Sequence, residues 1–518
     1  MGIQILIIDL GSQYTLVIGR TLRELGVRSI ILSPQKASKW LENNKPLGVI
    51  FSGGNFSVYQ GGAPSPPRKI LEMQIPVLGI CYGTQWIVQE LGGEIRPIEG
   101  NREYGEAEMC LYDEPADPLL EGLPPKSTVW ASHGDSIESL PPGFERIAYT
   151  LNVVAAGANN FSRIIAGIRN RRKKIWGFLF HPEVTQTTHG KEILQRFIFN
   201  ACSCRRDWRP ADVIADIQQE VGEAAKGKKA VIGFSGGVDS SELTKILAPV
   251  LGHRLQAVCI DTGALRKGEI AGIKRTAAAI PATLRIIRAA GRFQKALGNT
   301  THSEAKRRRF KRQYTREMNR AIKDFNADFL IQGSLATDFI ESGGVGKAAT
   351  IKSHHNIGNK FCCEQLHPFR QLFKYEVRDL ARESGLTEDV CSRQPFPGPA
   401  LIVRVIGKPP RPDKLAIARW LDDQVSQILR KANELSKPSQ IVVALDCTRT
   451  VGVKGDGRTY GYSAIVRAVL TADFMTAQGY QFPAEVRRQI SSALTKHPKI
   501  VRVYFDETDK PPATTELE

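Results

Sequence analysis

The sequence predicts an α/β protein: two successive doubly wound parallel-sheet domains followed by a smaller α+β domain. Three observations lead there. Apolar runs of strand length alternate with helical patterns in the first part of the chain, the signature of a parallel sheet covered by helices. The alternation stops at a polar segment interrupted by Pro210 and then restarts. Beyond the Pro/Gly cluster at 394–400 (QPFPGPA), strands and helices follow without regular alternation, which suggests α+β. At 518 residues the chain is also too long for one hydrophobic core. The predicted domains are 1–205, 206–394 and 395–518.

The elements follow in order. Buried strands are expected at 3–10, 27–32, 47–51 and 76–80, short runs rich in Ile, Leu and Val, with helical spacing after most of them, as at 83–91. Further strands fall near Val129 and at 175–180, and a helix at 191–202 closes the first domain. The second opens with a strand at 229–234, a glycine-rich turn and a helix at 240–251. Its next strand, 254–260, ends on Asp261, and a later one covers 327–332. The last domain has expected strands at 401–406, 440–445 and 500–505, with helices at 413–432 and 484–494. No internal repeat or low-complexity tract interrupts this order.

Composition narrows the class. Hydrophobic residues make up 42% and charged residues 24%, ordinary for a globular chain. No run of about 18 apolar residues exists, so no helical membrane span is expected. The opening MGIQILIIDLGSQY lacks a basic start and carries Asp9 inside its apolar run, so it reads as a buried strand and not as a signal peptide. Leu6 stands where a myristoylation signal needs Ser or Thr. The nine cysteines are scattered, odd in number and without zinc-ligand spacing, which points to a reducing, cytoplasmic setting. The net charge of +18 suits nucleic acid and anionic nucleotide substrates alike. It is densest at 306–323 (KRRRFKRQYTREMNRAIK), which reads either as a solvated helix face or as an anion-facing lid.

Two stretches carry chemistry in the first domain. A buried strand runs into Gly79-Ile80-Cys81-Tyr82-Gly83, and a helical pattern follows at once. Small flanking residues permit a strained strand-to-helix turn that holds Cys81 at the carboxyl edge of the sheet, with a helix N-terminus favouring its thiolate. Alone, this elbow reads more readily as a buried structural cysteine than as a nucleophile. Phe180-His181-Pro182-Glu183, leaving a second buried strand, supplies a base in His181 and an orienting carboxylate in Glu183. The pair resembles the class I glutamine amidotransferases. That resemblance implies that Cys81 attacks the glutamine side-chain amide, forms a glutamyl thioester and releases ammonia. It also implies an oxyanion hole at Gly53 and Gly54 with the N–H of Tyr82, and a glutamine pocket containing Gln85, Ser132, His133, Gly134 and Asp135. Asn55 stands where that family usually has proline.

In the second domain a strand runs into SGGVDSS, Ser235 to Ser241, and then a helix. Glycines let the backbone approach phosphate, hydroxyls donate, and the helix N-terminus adds positive potential. With no Lys in the turn this is not a Walker A loop. It resembles the pyrophosphatase loop of the N-type ATP pyrophosphatases. By that resemblance Ser235, Gly236, Gly237, Val238, Asp239, Ser240 and Ser241 bind ATP, Asp239 helps to place Mg²⁺, and Asp261 lies near the nucleotide. Mg²⁺ with ATP is the implied cofactor, with no tightly bound organic group.

The stretches at 352–356 (KSHHN), 395–399 (PFPGP), 451–458 and 510–514 extend the likeness over essentially the whole chain, which resembles the GMP synthases. The resemblance implies XMP as substrate. ATP adenylates its 2-oxo group and ammonia displaces AMP to leave GMP. Arg307, Lys510 and Glu516 are the implied XMP ligands, the two cations being sensible phosphate partners on charge. It also implies a homodimer through the last domain. Nucleic acid is not required by this reading, and no membrane is. Departures cluster in the synthetase half: Gln394 for a usual His, Ala336-Thr337 before Asp338, Glu242 for an apolar residue, Lys311 for Gly, and a tail lacking the usual Trp at Leu517. Two alternatives stand beside it. A partly inactive or non-catalytic relative would explain those departures. An RNA-modifying enzyme of the same loop family would explain the charge, but would need a cysteine pair and an RNA-binding module.

Overall fold

The computed structural model describes residues 2–98, 103–113, 117–153, 161–341, 360–471, 477–510 and 512–518. Contacts divide the described residues into two compact units, one ending at Arg209 and the other running from Pro210 to Phe339 and from 360 to Glu518.

The first unit is organised by a nine-stranded sheet. Five strands run parallel in the order Ser29–Leu32, Ile5–Ile8, Gly48–Phe51, Val77–Ile80, Ile175–Phe178. Alternate side chains of a strand face opposite ways, so each run of four apolar residues feeds two cores. Ile5 and Ile7 pack with Ile18, Leu22, Ile193 and Leu194 on one face. Leu6 and Ile8 pack with Ala37, Trp86 and Ile87 on the other. This half is doubly wound, as expected. The other four strands, Phe161–Asn170, Glu145–Val153, Glu103–Leu111 and Lys126–His133, are antiparallel and correct the expectation of a parallel sheet. They escape a search for apolar runs because polar residues alternate along them, as Glu106 and Glu108 do on a half-exposed strand. The helix expected at 191–202 begins at Gly190 and passes at Phe197–Ala201 into a π-helical turn.

The parallel order reverses beside Ile5–Ile8. From that strand the chain steps one way to Ser29–Leu32 and the other way to Gly48–Phe51. Loops leaving the carboxyl ends of strands at such a reversal border a crevice. Here they carry Ser12, Tyr14, Gly53 and Gly54, and the next strand delivers Cys81.

The second unit contains two five-stranded sheets. The first is wholly parallel, in the order Thr283–Arg288, Leu255–Asp261, Ala230–Gly233, Phe329–Ile331, Glu364–Leu366. Ile217, Leu243 and Leu247 cover one face, and Phe293, Phe310 and Met318 the other. The order reverses beside Ala230–Gly233, so the SGGVDSS loop leaves the switch point. The second sheet is mixed: Val405–Ile406, Gln440–Lys454, Gly457–Leu470 and Gln478–Gly479 in order, with Ile500–Asp506 on Gly457–Leu470. Helices Pro412–Lys431 and Ala484–Thr495 pack on it, and their Leu421 and Ile490 belong to the same core as Phe293 and Phe310. The strand expected at 401–406 shrinks to Val405–Ile406. Ala400–Arg404 is a 3₁₀ turn, because Pro397 and Pro399 end any ladder before it and their carbonyls accept from Ala400 and Ile402. No helix among the described residues is long and apolar enough to cross a membrane.

Candidate active sites

Cys81 ends the strand Val77–Ile80 and caps the helix Tyr82–Glu90 with φ of 50° and ψ of −112°, a strained conformation for a residue with a side chain. Its neighbours explain how the turn closes. A Cβ on Gly79 would lie 2.8 Å from the backbone N of Thr84, and one on Gly83 would lie 2.6 Å from the carbonyl of Phe51. Only glycine fits at either place. The thiol is 3.7 Å from the carbonyl oxygen of Ser132.

His181 follows the strand Ile175–Phe178, with its backbone N–H on the carbonyl of Trp130 at 2.9 Å and its own carbonyl accepting from Thr187 Oγ1 at 2.6 Å. Its Nδ1 is 2.8 Å from Glu183 Oε1, and both side chains are buried. Burial alone would lower the His181 pKa. Glu183 and the hydrogen bond with Cys81 outweigh it and hold the imidazolium to well above the usual histidine range. The other carboxylate oxygen, Glu183 Oε2, is buried without a hydrogen-bond partner. The three residues expected to act together are therefore in contact, and the charged ring is the favoured form.

The surrounding residues converge as well. A Cβ on Gly53 would stand 3.0 Å from His181 Cε1 and 3.5 Å from Cys81 Cβ, and one on Gly54 would stand 3.2 Å from Tyr82 Cγ. The backbone of this loop is thus laid against the nucleophile. Gln85 Nε2 donates to the carbonyl of Asp135 at 3.3 Å, and Gly134 accepts from Ile98 at 2.9 Å. His133 bridges Glu103 (3.1 Å) and the Asp135 carbonyl (3.1 Å), so its ring is engaged by protein. Four residues at the site carry no sequence signal of their own. Tyr14 meets the His181 ring edge-on at 5.0 Å, and the Ser12 hydroxyl lies 3.4 Å from the Gly53 Cβ position. Ser57 and Tyr59 both donate to the Asp135 carboxylate. The position of Ser12 and Tyr14 just after the first strand is the one clue the chain offers.

In the second unit the phosphate-type loop joins Ala230–Gly233 to the helix Val238–Leu251. Gly236 has φ of 71°, and a Cβ there would be 2.8 Å from Ile273. Ser235 and Ser240 close the loop: Ser235 N donates to Ser240 Oγ at 3.1 Å, and Gly237 N to Ser235 Oγ at 3.3 Å. Val238 is core, and Ser241 Oγ is buried without a partner. Asp239 pairs through Oδ2 with Lys374 and leaves Oδ1 buried and unpartnered. An orphaned carboxylate oxygen suits Mg²⁺, which takes oxygen ligands and arrives with phosphate. Lys374 stands in no local motif that would announce it. Neither does Arg393, which donates to the Gly236 carbonyl at 2.9 Å and pairs with Glu269. Asp261 ends its strand and accepts from Gly263 N at 2.9 Å. Glu242 is wholly buried beside the loop. Burial raises its pKa, although the Ser384 hydroxyl donates to it at 2.6 Å.

The expected XMP ligands come together only in part. Arg307 donates to the carbonyl of Glu518, and Lys306 Nζ bonds the Glu518 carboxylate, which brings the start of the basic helix to the tail. Glu516 is held by buried Arg404 at 3.1 Å and by Gln440 Nε2 at 2.8 Å. Arg404 also pairs with Asp422 at 3.1 Å and lies over Phe396 of the PFPGP stretch at 4.9 Å. Lys510 instead forms a backbone bridge with Ala477. The segment 352–356 lies outside the described residues. A cavity of about 940 Å³, lined by Arg266, Arg378, Arg393, Asp422 and Arg430 among others, contains none of the expected ATP or XMP residues.

Comparison with known proteins adds three findings. The family model of class-I glutamine amidotransferases matches residues 6–201, and that of the GMP synthase C terminal domain matches 427–517. A glutamine-hydrolysing GMP synthase of Aquifex aeolicus is 37% identical over 519 residues, covering 99% of each chain. One from Lactobacillus acidophilus is 39% identical over 525 residues, covering 99% of this chain and 98% of its own. Among solved structures, a glutamine amidotransferase from Thermotoga maritima is 18% identical, with a TM-score of 0.31, and the match covers 39% of this chain and 99% of its own.

Proposed function

The chain belongs to the glutamine-hydrolysing GMP synthases, and from that premise we propose how its two sites divide the work. It is an enzyme that makes GMP with nitrogen from glutamine. In the first site Cys81 attacks the carbonyl carbon of the glutamine side chain. Backbone N–H groups of the Gly53–Gly54 loop and Tyr82 receive the developing oxyanion. The His181 imidazolium protonates the departing ammonia, and the neutral ring then takes a proton from the water that hydrolyses the thioester. Glu183 holds the ring in place. Gln85, Ser132, His133, Gly134 and Asp135 shape the glutamine pocket.

In the second site the Ser235–Ser241 loop takes the β- and γ-phosphates of ATP, with Asp261 beside the nucleotide. Asp239 offers its free Oδ1 to Mg²⁺, which would neutralise phosphate charge. The 2-oxo oxygen of XMP attacks the α-phosphorus, pyrophosphate leaves, and ammonia displaces AMP from the adenylated carbon. Arg307 and Lys510 would hold the XMP phosphate, and Glu516 would sit on Arg404 beneath it. The chain divides on this reading into a glutaminase (1–205), an ATP pyrophosphatase (206–394) and a C-terminal part (395–518), the last two sharing a core. A homodimer through the C-terminal part is supported by Val451, Val453 and Tyr460, large apolar side chains exposed on its long hairpin. Nine free thiols favour a cytoplasmic setting. The basic charge needs no nucleic acid where its start binds the tail and nucleotides are the substrates.

The observation that carries this reading is the Cys81–His181–Glu183 contact in one chain with the SGGVDSS loop. Incubation with XMP, ATP, Mg²⁺ and either glutamine or ammonia tests it. GMP is expected from both donors, and Cys81→Ala should abolish the glutamine route while sparing the ammonia route. No GMP from either donor would sink the proposal, and loss of both routes in the variant would contradict two separate sites.

A further inference from the structure

In the second unit the strand Leu255–Asp261 runs into a short loop that the C-terminal part holds residue by residue. Arg419, on the helix Pro412–Lys431, donates to the carbonyls of Gly263 and Leu265, each at 2.7 Å. Leu401 N donates to the Ala264 carbonyl between them at 3.1 Å. One turn after Arg419, Asp422 pairs with Arg266 at 3.1 Å and Asp423 with Lys267 at 3.0 Å. Each residue from Gly263 to Lys267 is thus bonded to a group between Leu401 and Asp423. The loop begins at Asp261, whose carboxylate accepts from Gly263 N at 2.9 Å.

Asp422 has a second partner. Its Oδ2 faces Arg266, and its Oδ1 accepts from Arg404 at 3.1 Å. Arg404 in turn holds both carboxylate oxygens of Glu516, at 3.1 and 3.3 Å. Both guanidinium groups lie over the Phe396 ring, Arg266 at 4.2 Å and Arg404 at 4.9 Å. Arg404 is fully buried, and Asp422 and Glu516 are nearly so. Charge-assisted bonds are directional and about twice as strong as neutral ones, so a carboxylate shared by two guanidiniums in so little water is a stiff joint.

We propose that Asp422 is a positioning residue for the attack of XMP on ATP. It joins the loop that follows Asp261 to the tail that carries Glu516, by way of Arg266 on one side and Arg404 on the other. The inference rests on the reading of Asp261 as a residue of the ATP side and Glu516 as one of the XMP side. The reacting oxygen and phosphorus must meet at about 3–3.5 Å, and a misplacement of about 1 Å costs on the order of 10²-fold in rate. The two arms lie far apart in the sequence, and one carboxylate sets them in register. Arg419 and Leu401 keep the loop docked when Asp422 is changed, so what is lost is alignment between the arms and not the loop itself.

The test uses the full chain with Asp422→Asn, Arg266→Gln and both together, measuring ammonia-dependent GMP formation over a range of ATP and of XMP. Asn keeps the shape of Asp422 and removes the charge that the two guanidiniums share. Each single variant should lose about ten- to fiftyfold in kcat, with the KM of each substrate changed by less than about threefold. The double variant should lose no more than about twofold beyond the worse single one, because both changes break the same joint. Hydrogen exchange of the unliganded proteins gives a second readout: Arg266→Gln should speed exchange at the amides of 513–518, through Asp422 and Arg404. A raised KM for one substrate at unchanged kcat would make these residues ligands and overturn the proposal. So would unchanged kinetics, losses that multiply in the double variant, or unchanged exchange in the tail. Should Asp422→Asn fail to fold, Arg266→Gln decides alone, since Arg266 lies on a loop with its side chain 20% exposed. Absence of GMP in the unaltered chain would count against the reading of the second site, while tail exchange would still decide whether the two arms are joined.

Discussion

At the scale of single residues, the glutaminase site depends on a proton held against burial. Desolvation favours neutral His181, but Glu183 at 2.8 Å and the Cys81 thiol reverse the balance and raise its pKa well above 6.5. The imidazolium is the acid that protonates departing ammonia, so the active form persists through neutral pH and is lost as pH rises through the raised pKa. Glutamine hydrolysis should accordingly show an alkaline limb above the ordinary histidine range. Glu183→Gln removes the largest influence raising that pKa, and the sign follows: His181 loses its proton earlier and the limb moves to lower pH. The rate at the optimum should also fall, on the order of 10²–10⁴-fold, because the ring loses its orienting acceptor. A profile of kcat/KM against pH checks both, and an alkaline limb left in place would show that another group holds the proton. Both partners of this pair are legible in the sequence, since each lies in a short motif that leaves a buried strand. Ser57 and Tyr59 are not, because nothing in one loop announces a carboxylate 76 residues away.

At the scale of elements, legibility is set by where apolar residues bunch. The parallel strands that lead to Cys81, His181 and SGGVDSS are nearly continuous apolar runs, and they stand out in the sequence. Thr283–Arg288 and Glu364–Leu366 belong to a parallel sheet too, but Arg285, Arg288, Glu364 and Gln365 break their runs and hide them. The four antiparallel strands hide their pattern in alternation, and the 3₁₀ turn at Ala400–Arg404 reads as a strand because its five residues are all buried. The basic run shows the opposite limit, since charge is visible in sequence and its partner is not. It forms the helix Ser303–Phe325, with nine Lys or Arg against three Asp or Glu, a third of the net charge. Its first turns point inward. Lys306 is fully buried and pairs with Glu518, while Arg308, Arg309, Arg312 and Arg316 stay on the exposed side. Removing one partner of a buried pair leaves a desolvated charge, so Glu518→Ala should destabilise the second unit by on the order of 3 kcal/mol. Glu518→Gln, which keeps an acceptor for the ammonium, should cost clearly less. Urea denaturation of the three proteins decides the matter, and equal losses in both variants would show that tail packing, not charge, is at stake.

At the scale of the whole molecule, the described residues of each candidate site come from one compact unit. The residues at Cys81 all come from Met1–Arg209, and that unit has cores on both faces of its own sheet. The residues at SGGVDSS, and the Arg307, Arg404 and Glu516 group, all come from the second unit, where the parallel sheet and the C-terminal sheet share one core. The shared core decides where the chain can be divided. A cut at 209/210 crosses a boundary between cores, whereas a cut near 394 would expose Phe293, Phe310, Leu421 and Ile490 together, each of them nearly fully buried. Exposing four large apolar side chains forfeits about 1.5–3 kcal/mol apiece, comparable with the whole stability of a domain. A chain of residues 210–518 should therefore fold, and should form GMP from XMP, ATP, Mg²⁺ and ammonia but not from glutamine. A chain of residues 206–394 should be insoluble or unfolded and inactive with either donor. Circular dichroism and the ammonia assay on both fragments provide the check. A folded, active 206–394 would show that the shared core is dispensable, and a folded but inactive 210–518 would show that the second site draws on the first unit.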